Sequence, residues 1–502
     1  MTTDSANLLK KQATRSAFWS LIDKIGVQGL SAVVGLFMTR LLFPSDYGLI
    51  AMLDIFIAVG LLLTDGGLGQ AFIHDQNASH DEQSMIFYIN TICGMFIYLL
   101  LFLLSNSIAA FYAQPQLIPI IRIFSLNIPI QAMSMLQQAR LMKELRLQVL
   151  TKIKLFSLCL AGGLGIFLSF KGWGAWALVY YMTSYNLSNT LLLFFFSGWH
   201  PHKRPDFKFI PKYIQYASKI MSASLLDALY TNFFTMFINK AYQATTGGLY
   251  AKARLLQNIP VMSALQVIQG VSFPVLSKVQ NDEVRFLQVF KKQVKVLSFL
   301  MSLIMGIMVL TARPFVILIL TGKWLPMVPY FQLLCILGWL TPFQNLHTAL
   351  LNAKGRSDLS LRLEIIKKII AVSSFLLTFS YGVAAIIIAQ IAAAFIGLLL
   401  NLLYSRRLTG YTIFRQLFDL FIPLLTAAGI VGLLLFGSGY FSNNILLFFL
   451  ETILVTLLYI SAAWVLKFNE IGFLKDLLKS GFVPKTGTPT LILDDTNKKG
   501  NS

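Results

Sequence analysis

The stretch TRLLFPSDYGLIAM, residues 39–52, decides the fold because it joins two long apolar segments through a short polar corner. A second stretch, NKAYQATTGGLYAK, residues 239–252, repeats this corner 200 positions later. An internal repeat of this kind predicts a chain made of two similar halves. The matched pairs are Arg40 and Lys240, Ser45 and Thr245, Gly48 and Gly248, Leu49 and Leu249, and Ala51 and Ala251.

The composition predicts an integral membrane protein. Of the 502 residues, 56% are hydrophobic and only 12% are charged, whereas soluble domains carry about 25% charged residues. A bilayer core about 30 Å thick requires about 20 apolar residues per helix, and apolar windows of that length recur along the chain. Because these runs are continuous and do not alternate, they favour helices over a β-barrel. The predicted fold class is an all-α polytopic membrane protein.

Fourteen membrane spans are predicted from the apolar windows between polar breaks. If the N-terminus is cytoplasmic, the inner connections and the adjoining inner ends of the spans together hold 31 of the 41 lysines and arginines, as the positive-inside rule requires. The connection HDQNASHDEQ, residues 74–83, is the exception, since it contains no lysine or arginine. The spans are 16–40, 48–72, 84–111, 117–138, 150–170, 174–198, 213–240, 248–276, 293–312, 328–350, 362–380, 382–405, 415–436 and 444–466.

The repeat extends beyond the corner. PIQAMSMLQQAR (129–140) matches PFQNLHTALLNAK (342–354), and GWGAWALV (172–179) matches GVAAIIIA (382–389). Six spans per half make the two halves parallel, with a pseudo-twofold axis along the membrane normal. The predicted parts are an N-terminal lobe (1–200), a cytoplasmic linker (201–212), a C-terminal lobe (213–410), two extra spans (411–467), and a cytoplasmic amphipathic segment with a disordered tail (468–502).

Several functional classes find little support in the sequence. The net charge of +20 follows the alternation of basic loops and apolar spans, so it indicates topology and anionic membrane lipids and not nucleic acid. The chain has no GxxxxGK[ST] or HExxH motif, and its three cysteines lie in apolar stretches without metal-ligand spacing. We expect no enzyme activity, no metal and no cofactor. We also expect no cleavable signal peptide, because residues 1–16 are polar and the first apolar segment is too long.

Ionisable residues inside predicted spans are the candidate functional residues, because charges in a membrane usually face a wet protein interior. They concentrate in the first, second, seventh and eighth spans, which form the repeated corners. Lys219 lies about 9 Å inside its span and could instead reach the cytoplasmic interface. Asp65 could only bind nearby backbone, and Arg40 and Lys240 could only cap helix ends. The candidates are the cations Lys24, Arg40, Lys219, Lys240, Lys252 and Arg254 and the acids Asp23, Asp54, Asp65 and Asp227.

The six-plus-six repeat, LFPSDYGLIAM, RIFSLNIPIQAMSMLQQARLMKELR and GWGAWALV together resemble the polysaccharide transport family of lipid-linked oligosaccharide flippases. These Wzx and WzxC-like lipopolysaccharide biosynthesis proteins share the MOP superfamily fold with MATE drug exporters and the MurJ lipid II flippase. The resemblance covers residues 10–410. It implies two lobes that rock to move an undecaprenyl-diphosphate-linked oligosaccharide across the bacterial cytoplasmic (inner) membrane. A polysaccharide polymerase and export machinery are the partners it suggests.

The candidate residues fit this substrate class. A diphosphate with polar sugars requires a wet, cationic path, which the six cations would line, whereas the polyprenyl tail stays in lipid. The four acids would carry a coupled proton or sodium ion or pair with the cations. The alternatives are a MATE-type cation-coupled multidrug exporter, which favours an acidic and aromatic cavity, a lipid II flippase, and a scaffold that transports nothing.

Overall fold

The computed structural model describes residues 19, 22–75, 77–202, 207–437 and 445–466, and nearly all of them are helical. No β-strand occurs among these residues, which confirms the all-α prediction. The chain divides into two compact units, residues 1–251 and 252–502. The amphipathic segment and tail predicted at 468–502 lie outside the described residues.

The first unit contains seven helices and the beginning of an eighth. Helix α2 is interrupted at Gly66 and Gly67, which both have positive φ angles, 54° and 81°. In chain order the helices are α1 (23–41), α2 (Pro44–His74), α3 (His80–Tyr112), α4 (Leu117–Lys143), α5 (Leu147–Phe170), α6 (Ala175–Phe196), α7 (Ile210–Ala241) and α8 (Ala244–Lys278), in which the division falls.

Small residues bring the helices of the first unit close together. A Cβ atom added to Gly162 of α5 would lie 2.6 Å from the Val34 side chain of α1, and one added to Gly165 would lie 3.1 Å from Sδ of Met38. Glycines at such positions are typical of membrane helix pairs, because close packing replaces the hydrophobic effect that lipid cannot supply. Helix α5 therefore packs against α1, and it also packs against α6, because the Cβ added to Gly165 would lie 2.9 Å from Cβ of Tyr181.

The second unit consists of the rest of α8 and six further helices. Helix α12 packs against α10 and α11, and α9 packs against α10, α13 and α14. Short helical segments, Ala312–Phe315, Val316–Leu320 and Gly322–Met327, connect α9 to α10. The helices are α9 (Glu283–Leu310), α10 (Val328–Ala353), α11 (Ser357–Thr378), α12 (Val383–Thr409), α13 (Ile413–Gly437) and α14 (Ile445–Val465).

Nine helices in the described part of the chain are long and apolar enough to cross a membrane. Helices α1, α6, α7, α11 and α14 coincide with the remaining predicted spans, but they do not meet the same length and hydropathy criteria. The chain is therefore a multi-pass membrane protein. Fourteen crossings stays a prediction, and so do the lobe boundaries.

The two predicted corners have the same local structure. Helix α1 ends at Leu41 and α2 begins at Pro44, whereas α7 ends at Ala241 and α8 begins at Ala244. These boundaries are 200 positions apart, as the sequence repeat predicts. The residue after the first helix is extended in both corners, with ψ near 161° at Leu42 and 166° at Tyr242.

A second pair of turns shows that the fourth and tenth helices also end alike. Leu145 and Gly355 both adopt positive φ angles, 55° and 73°, and the next residue donates its backbone N–H to the carbonyl four residues before each of them. The turns are 210 positions apart, whereas the sequence match pairs Arg140 with Lys354, which are 214 apart. The match is therefore displaced by four residues, or about one helical turn.

Arg356 and Asp358 lie between the predicted spans 328–350 and 362–380. After Gly355, Arg356 donates a hydrogen bond to the Asp358 carboxylate at 3.1 Å. This bond lowers the pKa of Asp358 because it stabilises the charged carboxylate.

The connection between α2 and α3, which lacks lysine and arginine, receives a cation from α4. Nζ of Lys143 donates to the Asp75 carbonyl at 2.5 Å and lies 4.3 Å from the centre of the Phe72 ring. The end of α2 presents carbonyls with partial negative charge, which a cation stabilises. The cation at this connection therefore comes from a neighbouring helix and not from its own sequence.

Candidate functional site

A cavity of about 510 Å³ lies between α2 and α7 in the first unit. Helix α7 contributes Asp227, Ser224, Thr231 and Asn232 to its wall, together with Ala228, and α2 contributes Leu62. Residues three, four and seven positions apart share one face of a helix. One face of α7 is therefore polar in a helix that is otherwise mainly apolar.

The chemistry of this face suits an uncharged polar ligand. Hydroxyl, amide and carboxylate groups accept hydrogen bonds, and the hydroxyls and the amide also donate them. The side chain of Asp227 is exposed at the wall of the cavity. The volume lies within the range of about 300–1,000 Å³ that small-molecule sites occupy.

Helices α2 and α7 also contact each other near the start of α7. The hydroxyl of Tyr213, near the start of α7, donates to the Asp75 carboxylate at 2.8 Å. A Cβ atom added to Gly66 would lie 3.7 Å from Sδ of Met221. The polar face of α7 begins one turn after Met221.

The two repeated corners contact each other through their glycines. A Cβ atom added to Gly48 would lie 1.8 Å from the carbonyl oxygen of Ala244, and one added to Gly248 would lie 1.8 Å from the carbonyl oxygen of Pro44. Position 44 corresponds to 244 and position 48 to 248, so each corner gives the other the same contact. This reciprocity is what a local twofold axis produces, and only glycine permits such close backbone approach.

The cations predicted at the corners lie at the last turns of their helices. Arg40 is at the end of α1 and Lys240 at the end of α7, and both are exposed. The Lys240 ammonium donates to the Phe111 carbonyl at the end of α3 and lies 4.6 Å from the centre of the Phe111 ring. Lys240 therefore binds a carbonyl at the end of a helix, as the capping interpretation predicts. The helix that it caps is the neighbouring α3.

Asp23 and Lys24, two predicted candidates at the start of α1, have different surroundings. Asp23 forms an ion pair with Lys154 of α5 at 3.2 Å, whereas Lys24 is exposed. Both lie in the π-helical turn Asp23–Val27, a feature frequently found at functional sites. The structure therefore adds Lys154 to the charged set of the first unit.

The remaining predicted cations are on α7 and α8. Lys252 is buried, with 8% of its surface exposed, and Arg254 is half-buried. The side chain of Lys219 lies outside the described residues. None of the predicted cations with a described side chain lines the cavity between α2 and α7.

Asp54 and Asp65 are at opposite ends of the regular middle part of α2. Asp54 is exposed. Asp65 is half-buried, and its Oδ1 accepts a hydrogen bond from the backbone N–H of Gly69 at 3.1 Å, across the glycine interruption. The local backbone role proposed as the simpler interpretation of Asp65 is therefore present in the structure.

Sequence reasoning missed several residues of this site. Ser224, Thr231 and Asn232 are uncharged, whereas the predicted candidates are all ionisable residues. The signal was present in the sequence, because SASLLDALYTN (222–232) places polar residues at helical spacing. Lys154 is not among the predicted candidates either, although it lies near the start of the predicted span 150–170. The role of Gly48 and Gly248 required the tertiary contact.

A second cavity, of about 610 Å³, lies in the second unit between α8 and α9. Its wall is almost entirely apolar, with Ile259, Pro260, Leu300 and Ile304 among its members. Such a wall suits hydrocarbon and not a sugar or a phosphate.

The repeated helices, the apolar spans and the polar face of α7 define a multi-pass helical membrane transport protein. Within this class, the chain belongs to the family described as polysaccharide biosynthesis protein, whose sequence profile matches residues 37–329.

Two curated relatives agree with this family assignment. The chain is 27% identical over 456 residues to an uncharacterized membrane protein in the cps region of Klebsiella pneumoniae, covering 89% of this chain and 93% of that protein. It is 27% identical over 402 residues to the lipopolysaccharide biosynthesis protein WzxC of Escherichia coli, covering 79% and 78%. The predicted resemblance to the polysaccharide flippase family is confirmed.

Solved structures confirm the MOP-type fold. The lipid II flippase MurJ in an inward closed conformation superposes with a TM-score of 0.68 at 12% identity, covering 90% of this chain and all of MurJ. An inward-facing multidrug resistance MATE family transporter of the MOP superfamily gives 0.58 at 13% identity, covering 79% and 99%. At this identity the superpositions establish the fold alone.

No group of three or more histidine, cysteine, aspartate or glutamate side chains arranged to hold a metal ion occurs in the described residues.

Proposed function

We propose that this protein is a flippase for a polyprenyl-diphosphate-linked oligosaccharide, the repeat unit of an O-antigen, capsule or exopolysaccharide. It acts in the bacterial cytoplasmic membrane with both termini in the cytoplasm, and it transports its substrate without catalysing a covalent reaction. A polysaccharide polymerase and the export machinery are its expected partners.

The polar cavity between α2 and α7 carries this proposal. Sugar hydroxyls donate and accept hydrogen bonds, and the cavity offers the Asp227 carboxylate, the Asn232 amide and the hydroxyls of Ser224 and Thr231. We assign the sugar part of the substrate to this cavity. The family assignment supports a glycan substrate.

The diphosphate is assigned to the cations that do not line the cavity. Ammonium and guanidinium groups are the usual phosphate partners, and the sequence provides Lys24, Lys252 and Arg254 on the same helices that form the corners, with Arg40, Lys219 and Lys240 as further candidates. Replacement of Lys24 or Arg254 by alanine is expected to abolish export of the surface polysaccharide while the protein remains inserted. Normal export by both variants would remove these cations from the proposal.

Alternating access is proposed to open and close the repeated corners. The contact between Gly48 and Ala244 joins the ends of α1 and α2 to those of α7 and α8, so movement of the two predicted lobes about the linker at 201–212 would separate it. Part of that linker, residues 203–206, lies outside the described residues.

A MATE-type multidrug exporter is the alternative that the fold alone permits. Asp227 in the cavity would suit a cationic drug, but the other polar groups of its wall are neutral, and the family assignment points to polysaccharide. A lipid II flippase is a further alternative with the same fold. Transport assays with the three substrate classes separate these proposals.

The decisive experiment measures movement of a fluorescent lipid-linked glycan between the leaflets of proteoliposomes. Asp227→Asn keeps the shape of the side chain but removes its charge, so it is expected to slow the movement by about 10–100-fold, the effect of about 1.5–3 kcal/mol for a hydrogen bond to a charged group. Ser222→Ala is the matched control, since Ser222 is on α7 but does not line the cavity. Equal rates for wild type and Asp227→Asn would exclude a sugar site at Asp227, and no movement by the wild type would exclude the flippase.

A further inference from the structure

His347 is a buried ionisable residue that the proposed pathway does not use. It lies in the second unit, on α10 about two turns before the helix ends, and 1% of its surface is exposed. The residues around it come from α9, α12 and α13. Intramembrane ionisable residues are rare and usually functional, because burial is costly for the charged form.

Both ring nitrogens of His347 face carbonyl oxygens. Nδ1 lies 2.8 Å from the backbone carbonyl of Phe343, one turn earlier on α10. Nε2 lies 3.2 Å from Oε1 of Gln416, at the start of α13. A carbonyl oxygen accepts hydrogen bonds and cannot donate one.

The orientation of the Gln416 amide is determined by its other contacts. Its Nε2 donates to the Tyr411 carbonyl at 2.6 Å, and its Oε1 accepts from the Ser405 hydroxyl at 2.8 Å. Rotating the amide by 180° would bring its oxygen against the Tyr411 carbonyl. The group facing Nε2 of His347 is therefore an acceptor.

A neutral imidazole cannot satisfy this arrangement, because it carries one N–H and its other nitrogen is an acceptor. One nitrogen would then face a carbonyl lone pair while 1% of the residue is exposed to solvent, which costs about 1–3 kcal/mol. The doubly protonated ring donates to both oxygens. We propose that His347 is a proton-binding site, occupied in this conformation, and that Gln416 is the residue that senses the proton.

Charged groups of both signs surround His347. Burial opposes the imidazolium, and so does Lys367 on α11, although Lys367 is paired with Glu364. On the α9 and α13 side, Lys295 pairs with Asp419 at 3.2 Å. Tyr411 donates to the same Asp419 carboxylate and lies 4.9 Å below the ammonium of Lys291.

The hydrogen bonds of His347 favour the charged ring. Its two hydrogen bonds are charge-assisted when the ring is protonated, and such bonds are about twice as strong as neutral ones. The ring of Phe290 also packs against it, with centres 5.2 Å apart.

Loss of the proton would break the link between α10 and α13. Nδ1 lies closer to its acceptor than Nε2 does, 2.8 Å against 3.2 Å, so we expect the neutral ring to keep its hydrogen on Nδ1 and to lose the bond to Gln416. Proton release therefore removes the hydrogen bond that joins α10 to the start of α13. This step makes the proton the coupling ion of the cycle, and that part of the inference rests on the proposed function.

The protonation state is tested by 15N NMR of the full chain in lipid, with His74, His80, His200 and His202 replaced by glutamine. We expect both nitrogens of His347 to give signals of protonated nitrogens at neutral pH. Gln416→Leu should convert one of them to an unprotonated nitrogen, whereas Ser405→Ala, which leaves the contact between His347 and Gln416 in place, should not. An unprotonated nitrogen in the otherwise unchanged chain would overturn the proposal.

The coupling is tested separately in proteoliposomes with and without a pH gradient. The wild type is expected to move lipid-linked glycan faster with the gradient, and the ratio of the two rates should fall to about 1 in His347→Gln. A ratio unchanged by the substitution would overturn the coupling even if the imidazolium is present. If the wild type moves no glycan at all, the flippase proposal fails, but the NMR result still decides the proton site.

Discussion

Replacement of Gly48 by alanine tests the contact between the repeated corners most directly. The added Cβ atom would lie 1.8 Å from the Ala244 carbonyl oxygen, and Cβ atoms essentially never come closer than 3.0 Å to a neighbour. Because the obstacle is backbone and not a flexible side chain, the corners must separate by more than 1 Å. Overpacking of this kind costs about 1–3 kcal/mol.

This cost falls only on the conformation in which the corners touch. A penalty of about 2 kcal/mol changes the equilibrium between touching and separated corners by about 30-fold, since 1.4 kcal/mol corresponds to a factor of 10. Gly248→Ala should have the same effect by the reciprocal contact. The double variant should cost less than the sum, because the first substitution already removes the contact.

Pulsed EPR with spin labels at positions 43 and 243 measures the separation. Phe43 and Gln243 are exposed and occupy equivalent places in the two corners. Cys93, Cys159 and Cys335 are replaced beforehand. The distance distribution of Gly48→Ala should shift to longer values, whereas Gly29→Ala, where an added Cβ meets nothing within 4 Å, should leave it unchanged. A distribution for Gly48→Ala identical to that of the wild type, in folded protein, would refute the corner contact.

Two further predictions concern stability. Leu145→Gly should raise the free energy of unfolding by about 1 kcal/mol, because Leu145 has a φ angle of 55° that glycine adopts without strain. Gly355→Leu, at the equivalent turn, should lower it by a similar amount. Thermal unfolding in detergent measures both changes, and an unchanged or lower midpoint for Leu145→Gly would contradict the strain argument. A double-mutant cycle on Asp23→Asn and Lys154→Met should give a coupling of about 1 kcal/mol, since the pair is only partly exposed; a coupling near zero would mean that the ion pair does not stabilise the fold.

The sequence predicted the fold class because each membrane helix requires its own apolar run, which can be read without knowing its neighbours. The corners were found for a similar reason, since Pro44 at a helix start and Gly48 one turn later recur as Ala244 and Gly248 in the second copy. The second repeat was less exact. Its turns at Leu145 and Gly355 share a backbone conformation but not a residue type, so the sequence match was displaced by four residues.

The candidate site depended on distances between helices, which the sequence does not contain. A search for charges identified Asp227 but not the neutral groups beside it, and it could not show that Asp23 pairs with Lys154 and not with Lys24. In the sequence, His347 is a single histidine in an apolar span. The fold places Gln416, 69 positions away, next to its Nε2. The sequence by itself determined that this is a repeated, helical membrane protein, because hydropathy and periodicity are local. Only the tertiary structure decided which polar groups meet, because hydrogen bonds and close backbone contacts form between residues that are distant in the chain.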